Sequence, residues 1–208
     1  MDNQPFKSDL KSIKLPKPNL DGTVSVEQAL HTRRSVREFS SSPLSLTEIS
    51  QILWSAQGIT TSSGSRTAPS AGALYPLEVY ILSANVENLS PGLYKYSPKG
   101  HEIIFIIPGD LRRKLESSAL GQECITSAPA SIILSAVYRR TTHKYGDRGI
   151  QYVHMEIGHV AENIYLQAVS LNLGTVSIGA FYDHRVKKNL CLPENEEPLL
   201  IMPIGKLK

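Results

Sequence analysis

The stretch that most constrains this chain is Arg66-Thr-Ala-Pro-Ser-Ala-Gly-Ala-Leu-Tyr-Pro76. Pro69 and Pro76 bracket a run of mostly small residues that includes Ser70, Ala71, Gly72 and Ala73. Proline fixes φ and lacks an N–H, while Gly72 tolerates backbone conformations that other residues avoid. The pattern predicts a rigid turn whose backbone another group can approach closely. The plainer alternative is a loop that only feeds a strand. Its surroundings fix its place. Ser45 and Glu48 have capping-box spacing, and Ile49, Ile52, Leu53 and Ala56 follow on one stripe, with Gly58 as terminator and Trp54 packing just off it. After a small-residue loop over 59–65 and the turn itself, Leu77 to Leu82 alternates: Leu77, Val79 and Ile81 face one side, Glu78, Tyr80 and Leu82 the other.

Composition excludes several classes. A chain of 208 residues is one domain with room for a real core, and 41% hydrophobic with 20% charged residues belongs to a soluble globular protein. A net charge of +3 with dispersed basic residues argues for local anion sites, not a nucleic-acid groove. Cys124 and Cys191 lack metal-ligand spacing and read as reduced thiols of a cytoplasmic protein. No apolar run is long enough to cross a membrane, and the N-terminus lacks a signal-peptide pattern. Residues 1–23 read as an extended, Lys- and Pro-rich arm on the surface or on a partner subunit; residues 24–208 read as the globular domain.

Along that domain, Ser25 to Gln28 opens a short helix ending near His31. Arg33, Arg34, Ser35 and Arg37 follow, three guanidiniums and a hydroxyl that suit a phosphate or make a solvated basic turn. Residues 92–96 and 102–107 form a hairpin, Asp110 caps a helix to Ala119, and 130–137 is a central strand. Lys144 and Tyr145 stand at a strand-to-helix junction, able to move protons beside a cofactor or merely adding loop polarity. A long helix covers 150 to about 173, ended by Asn172-Leu-Gly174. Within it, His154 and His159 are five residues apart and point roughly 140° from each other, which speaks against a metal pair of the HExxH kind. Gly158 suits close packing against another helix. Thr175 to Ile178 reads as a strand running into Gly179-Ala180, where small residues permit backbone approach or simply end the strand tightly. Asp183 caps a helix to Leu190, and 198–204 is the last strand, leaving 205–208 free.

Arg33-Arg34-Ser35-Val36-Arg37 together with the 69–76 turn resembles the flavin-dependent nitroreductase superfamily. The spelling Pro69-Ser-Ala-Gly-Ala-Leu-Tyr-Pro76, with Lys144-Tyr145-Gly146 and Arg148, is similar to its SagB-type azoline dehydrogenase branch. The resemblance implies an α+β fold, a mostly antiparallel central sheet wrapped by helices, and a homodimer with two interfacial FMN sites. It implies that Arg33, Ser35 and Arg37, with Arg34 beside them, hold the FMN phosphate. Pro69 and Ser70 would reach the flavin from the opposite subunit, and Ala71 and Gly72 beside them count among the cofactor-binding residues. Ile178, Gly179 and Ala180 would offer backbone N–H groups to the ring. Lys206 and Lys208 are candidates to complete the phosphate site, against a solvated tail. Lys144 and Tyr145 would serve dehydrogenation of thiazoline or oxazoline rings in peptides. The implied activity is hydride transfer between FMN and a small substrate. The alternatives are a nitroreductase or quinone reductase using NADH or NADPH, and a flavin-binding protein without turnover. The chain's length points to a stand-alone relative with no extra domain for a leader peptide.

Overall fold

The computed structural model describes residues 11–208. Residues 1–10 of the expected arm lie outside them. The next part of that arm forms β1 (Ser12–Lys14), which pairs antiparallel with β4. Asn19 then docks on the long helical layer, its N–H donating to Gln51 Oε1 at 2.8 Å while Gln51 Nε2 donates back to Asn19 O at 3.0 Å.

Among the described residues, seven strands form one sheet in the order β1-β4-β3-β2-β5-β7-β6, and every pair of these strands is antiparallel. They are β2 (Leu77–Ser83), β3 (Gly92–Ser97), β4 (Glu102–Pro108), β5 (Ala130–Ala136), β6 (Leu173–Thr175) and β7 (Glu197–Lys206) besides β1. The alternation expected for β2 divides the core in two. Leu77, Val79 and Ile81 pack with Ile49, Ile52 and Leu53 on one face, while Tyr80 and Leu82 pack with Leu115, Ile125 and Val186 on the other. β5, buried at all seven positions, is central.

The helices are α1 (Val26–Thr32), α2 (Leu46–Gln57), α3 (Arg112–Ser118), α4 (Cys124–Ser127), α5 (Arg139–Tyr145), α6 (Arg148–Ser170) and α7 (Asp183–Asn189). The capping box at Ser45 and Glu48 is formed in full. Gly58 does end α2, but with φ −63° and ψ 143° it is not there for a left-handed turn. A methyl group on it would lie 2.1 Å from Trp54 Cδ1, so glycine leaves room for the tryptophan.

Five expectations need correction. Asp183 does not cap α7 but is its first residue, with Tyr182 at the N-cap position. Lys144 and Tyr145 are not in a loop but in the last turn of α5, which Gly146 (φ 57°) terminates. Helix α6 ends at Ser170, and Leu173-Gly-Thr175 is strand, not helix end, because Leu173 and Gly174 pair with Lys206 and Gly205. Thr175 to Ile178 is consequently not one strand: Ser177 N–H donates to Tyr165 Oη at 2.7 Å, and Ile178 pairs separately with Ile201. The same pairing carries β7 on through Lys206, and Leu207 bridges Phe39, so 205–208 is not a free tail.

Candidate active site

The 69–76 turn is organised by its own serine. Ser70 Oγ accepts the Tyr75 N–H at 2.9 Å, and Ala73 N–H donates to Ser70 O at 3.0 Å. The chain closes tightly enough that Gly72, Ala73 and Tyr75 all have positive φ, at 64°, 54° and 46°. From outside, Arg140 on α5 donates to Tyr75 O at 3.0 Å and pairs with Glu78 on β2. Arg66 lies 4.2 Å from the centre of the Tyr75 ring.

The consequence is a convergence that spacing along the chain does not reveal. A methyl group placed on Gly72 would lie 2.7 Å from Tyr145 Oη and 3.1 Å from Lys144 Nζ. The polar tips of two side chains from the last turn of α5 therefore rest on the bare α-carbon of the turn. Tyr145 packs edge-on to Tyr152 of α6 with ring centres 5.1 Å apart, and Arg148 sits over Tyr152, 5.7 Å from its ring centre. Arg148 thus reaches the tyrosine behind Tyr145 instead of flanking Lys144 and Tyr145 directly.

Beneath the turn lies a buried carboxyl that spacing gave no reason to single out. Glu156 on α6 is 2% exposed. Burial pushes its pKa above the ordinary glutamate range, opposed by Ser70, Arg66 and Gln57, which face it. Burial also lowers the Arg66 guanidinium, against the pull of Tyr75, Glu78 and Glu156.

The basic segment is elsewhere. Arg33 caps the end of α1 and lies 5.1 Å from the centre of the Tyr165 ring on α6, with Glu162 at 3.6 Å. Ser35 Oγ is 3.3 Å from Tyr165 Oη, the same atom that accepts the Ser177 N–H. One tyrosine hydroxyl thereby joins the Arg33–Ser35 segment to the start of 177–180. Nothing in the spacing of a lone tyrosine on a helix flank signalled this. Arg34 turns onto the carbonyls of His31 and Arg33, at 3.0 and 2.7 Å. Arg37 is exposed and makes no ion pair among the described residues. Lys206 lies 4.0 Å from Glu48 and Lys208 3.2 Å from Glu38. Ile178 is buried, whereas Gly179 and Ala180 are exposed and their N–H groups donate to no backbone acceptor among the described residues. Beside Gly179, the nearest side chain to a built methyl is Leu200, at 3.9 Å. His154 is occupied by Tyr138, whose Oη is 2.6 Å from Nε2.

Within one chain these residues form two groups. Ser70, Gly72, Lys144, Tyr145 and Glu156 make one; Arg33, Ser35, Tyr165 and Ser177 make the other. Glu156 and Tyr165 are nine residues apart on α6, about 13.5 Å along the axis and roughly half a turn round it. Chemically, the second group offers charged and neutral donors suited to an anion beside exposed backbone N–H groups. The first offers an amine and a phenol side by side over an open backbone.

An antiparallel sheet covered by helices on both faces, with these two groups on its longest helix among the described residues, is an α+β architecture. Residues 30–206 match the nitroreductase family model, and the chain belongs to that family. It is 50% identical over 183 residues to a protein of Methanocaldococcus jannaschii that bears the nitroreductase name, spanning 88% of this chain and 91% of that one. The microcin B17-processing protein McbC of Escherichia coli is 27% identical over 146 residues, 67% of this chain and 54% of McbC. Among solved structures, one of an Anabaena variabilis protein also named as a nitroreductase superposes with a TM-score of 0.84 at 30% identity, over 96% of this chain and 42% of that one. The chain thus spans about half the length of McbC and less than half of the Anabaena chain. No helix among the described residues is long and apolar enough to cross a membrane.

Proposed function

We propose that the chain is an FMN-dependent oxidoreductase that works as a homodimer and dehydrogenates azoline rings in the manner of the SagB-type branch. The observation that carries this reading is the convergence of Lys144 Nζ and Tyr145 Oη on the bare α-carbon of Gly72. Bound FMN supplies hydride chemistry. Arg33, Ser35 and Arg37 would hold its phosphate, with Arg34, Lys206 and Lys208 nearby in the chain, and the open N–H groups of Gly179 and Ala180 would serve the ring beside Ile178. The residues present fit the group: an arginine without an acid partner, a half-satisfied serine and backbone donors left uncovered. Removing two hydrogens from a five-membered ring as a hydride also releases a proton, which the phenolate form of Tyr145 or the free-amine form of Lys144 would take. Pro69, Ser70, Ala71 and Gly72 would form the opposite wall of the same site.

A shared site is supported by the separation of the two groups. Lying on opposite sides of α6, they do not face a common space in one chain, whereas two copies can bring one group of each together. The exposed side of α6 suits that contact: Met155 is 52% exposed, and a methyl group on Gly158 would meet nothing within 4 Å. The name of McbC supports a peptide substrate for this chain.

The test is flavin content and azoline oxidation in Lys144→Ala and Tyr145→Phe, assayed together. Full flavin with turnover reduced by roughly 10²–10⁴-fold is the expected result. Unchanged oxidation removes the pair from the chemistry. The M. jannaschii relative favours a second reading, a nitroreductase reduced by NADH or NADPH. Anaerobic bleaching of the flavin by either nucleotide, undiminished in both variants, would select it. Dilution tests the homodimer: a monomer that retains tight FMN contradicts a shared site.

A further inference from the structure

The carboxyl beneath the turn has a more specific role than filling the core. Gln57, at the end of α2, is fully buried, and its Oε1 accepts from Arg66 Nη1 at 2.7 Å. A guanidinium has only donors, so that bond fixes which end of the amide is oxygen and turns Nε2 the other way. Gln57 Nε2 is then a buried donor without a partner, and Glu156 Oε1 is a buried acceptor without one. The two orphans are complementary, and Gln57 faces the Glu156 carboxyl. Ser70 faces it too. Because the Ser70 oxygen accepts the Tyr75 N–H, its hydroxyl proton is left to donate toward Glu156. Unsatisfied buried polar atoms are costly and rare, and two complementary ones on two helices, with half-buried Arg66 and Ser70 beside them, are not assembled by packing alone.

We propose that Glu156 is a positioning residue: with Gln57, Arg66 and Ser70 it braces the 69–76 turn from below and sets the height of Gly72 against Lys144 and Tyr145. The brace acts through Ser70, whose oxygen holds Tyr75 and whose carbonyl holds Ala73. Its bearing on catalysis rests on the function proposed above; its bearing on the turn does not.

The experiment therefore begins without added flavin. Amide hydrogen exchange is measured for Ala73 and Tyr75, and for Val160 within α6 as reference, in the wild-type chain, Glu156→Leu, Glu156→Gln and Ser70→Ala. Leucine fills the space without a polar end; glutamine keeps one acceptor oxygen for these donors and removes the charge. The expected result is faster exchange at Ala73 and Tyr75, by roughly ten-fold or more, in Glu156→Leu and at Tyr75 in Ser70→Ala, with Val160 unchanged. Glu156→Gln should restore most of the protection. On the flavin-loaded protein, Glu156→Leu should lower kcat more than it raises KM. Wild-type exchange at the turn in both Glu156→Leu and Ser70→Ala overturns the proposal. So does equal acceleration at Val160 and the turn in Glu156→Leu when Ser70→Ala leaves Tyr75 protected, since Glu156 is then a core residue only. If the wild-type chain takes up no FMN, the proposed function fails, while the exchange result still decides the brace.

Discussion

Substituting Gly72 by alanine separates backbone strain from site geometry. The residue sits at φ 64°, where an L side chain costs about 1–2 kcal/mol. Ala73 and Tyr75 already occupy that region next to it, so the surrounding bonds can hold such a residue in place. The added methyl would meet Tyr145 Oη at 2.7 Å, and ordinary contact of about 3.5 Å requires that atom to retreat by roughly 1 Å. Tyr145 is only partly buried and Lys144 is exposed, so both can yield, and little further stability is lost. For a chain of this size the backbone term alone lowers Tm by about 2–8 °C. Catalysis should suffer more, since a displacement of roughly 1 Å at reacting groups can cost about 10²-fold. The assay is thermal unfolding beside steady-state oxidation for Gly72→Ala, Tyr145→Phe and the double variant. In the double variant the steric part disappears with Oη, the Tm loss remains, and the two activity losses fail to add. A Gly72→Ala protein with wild-type turnover would refute the reasoning, because Lys144 and Tyr145 could then sit anywhere.

Arg33→Ala and Arg37→Ala should each weaken FMN binding by about 1.5–3 kcal/mol, read as a roughly 10- to 150-fold rise in Kd by fluorescence titration; unchanged affinity in both dissolves the phosphate site. Tyr165→Phe removes the hydroxyl shared by Ser35 and the Ser177 N–H, and should cost about 1–3 kcal/mol in urea unfolding and loosen FMN as well. Glu156 makes stability depend on pH. Its pKa is raised in the folded state, so its contribution is complete below the ordinary glutamate value and is lost as pH rises through the folded one. Urea midpoints from about pH 4 upward should fall more steeply for the wild-type chain than for Glu156→Gln, and parallel curves would contradict the raised value.

Period and capping made the helices and the two faces of β2 legible, because burial on one side leaves a pattern in the residues themselves. The capping box at Ser45 and the alternation from Leu77 to Leu82 are local signals with local causes. What the pattern could not convey were the pairings that depend on distant partners. Lys206 is strand because Leu173 lies beside it, 33 positions earlier in sequence. The resemblance pointed to Lys144, Tyr145 and the turn separately, yet their meeting at Gly72 depends on where α5 lands. Tyr165, Gln57 and Glu156 carried no signal at all. A tyrosine or a glutamate on the flank of a helix looks the same in sequence whether it meets water or a buried partner.

The three-residue strand β1 at one edge of the sheet has a consequence for how this protein fails. β4 carries Ile103-Ile-Phe-Ile-Ile107, five consecutive apolar residues of high strand propensity without a charge. Such a segment is prone to cross-β association whenever its free side is presented to another chain. What covers that side is β1, three residues long, with Lys14 bonded to Glu102 at 2.9 Å. A short, lysine-bearing strand is a poor template for further growth. Removing residues 1–15 should therefore do more than lower the unfolding midpoint: it would bare β4, and the truncated chain should form thioflavin-binding fibrils under conditions where the intact chain remains monodisperse.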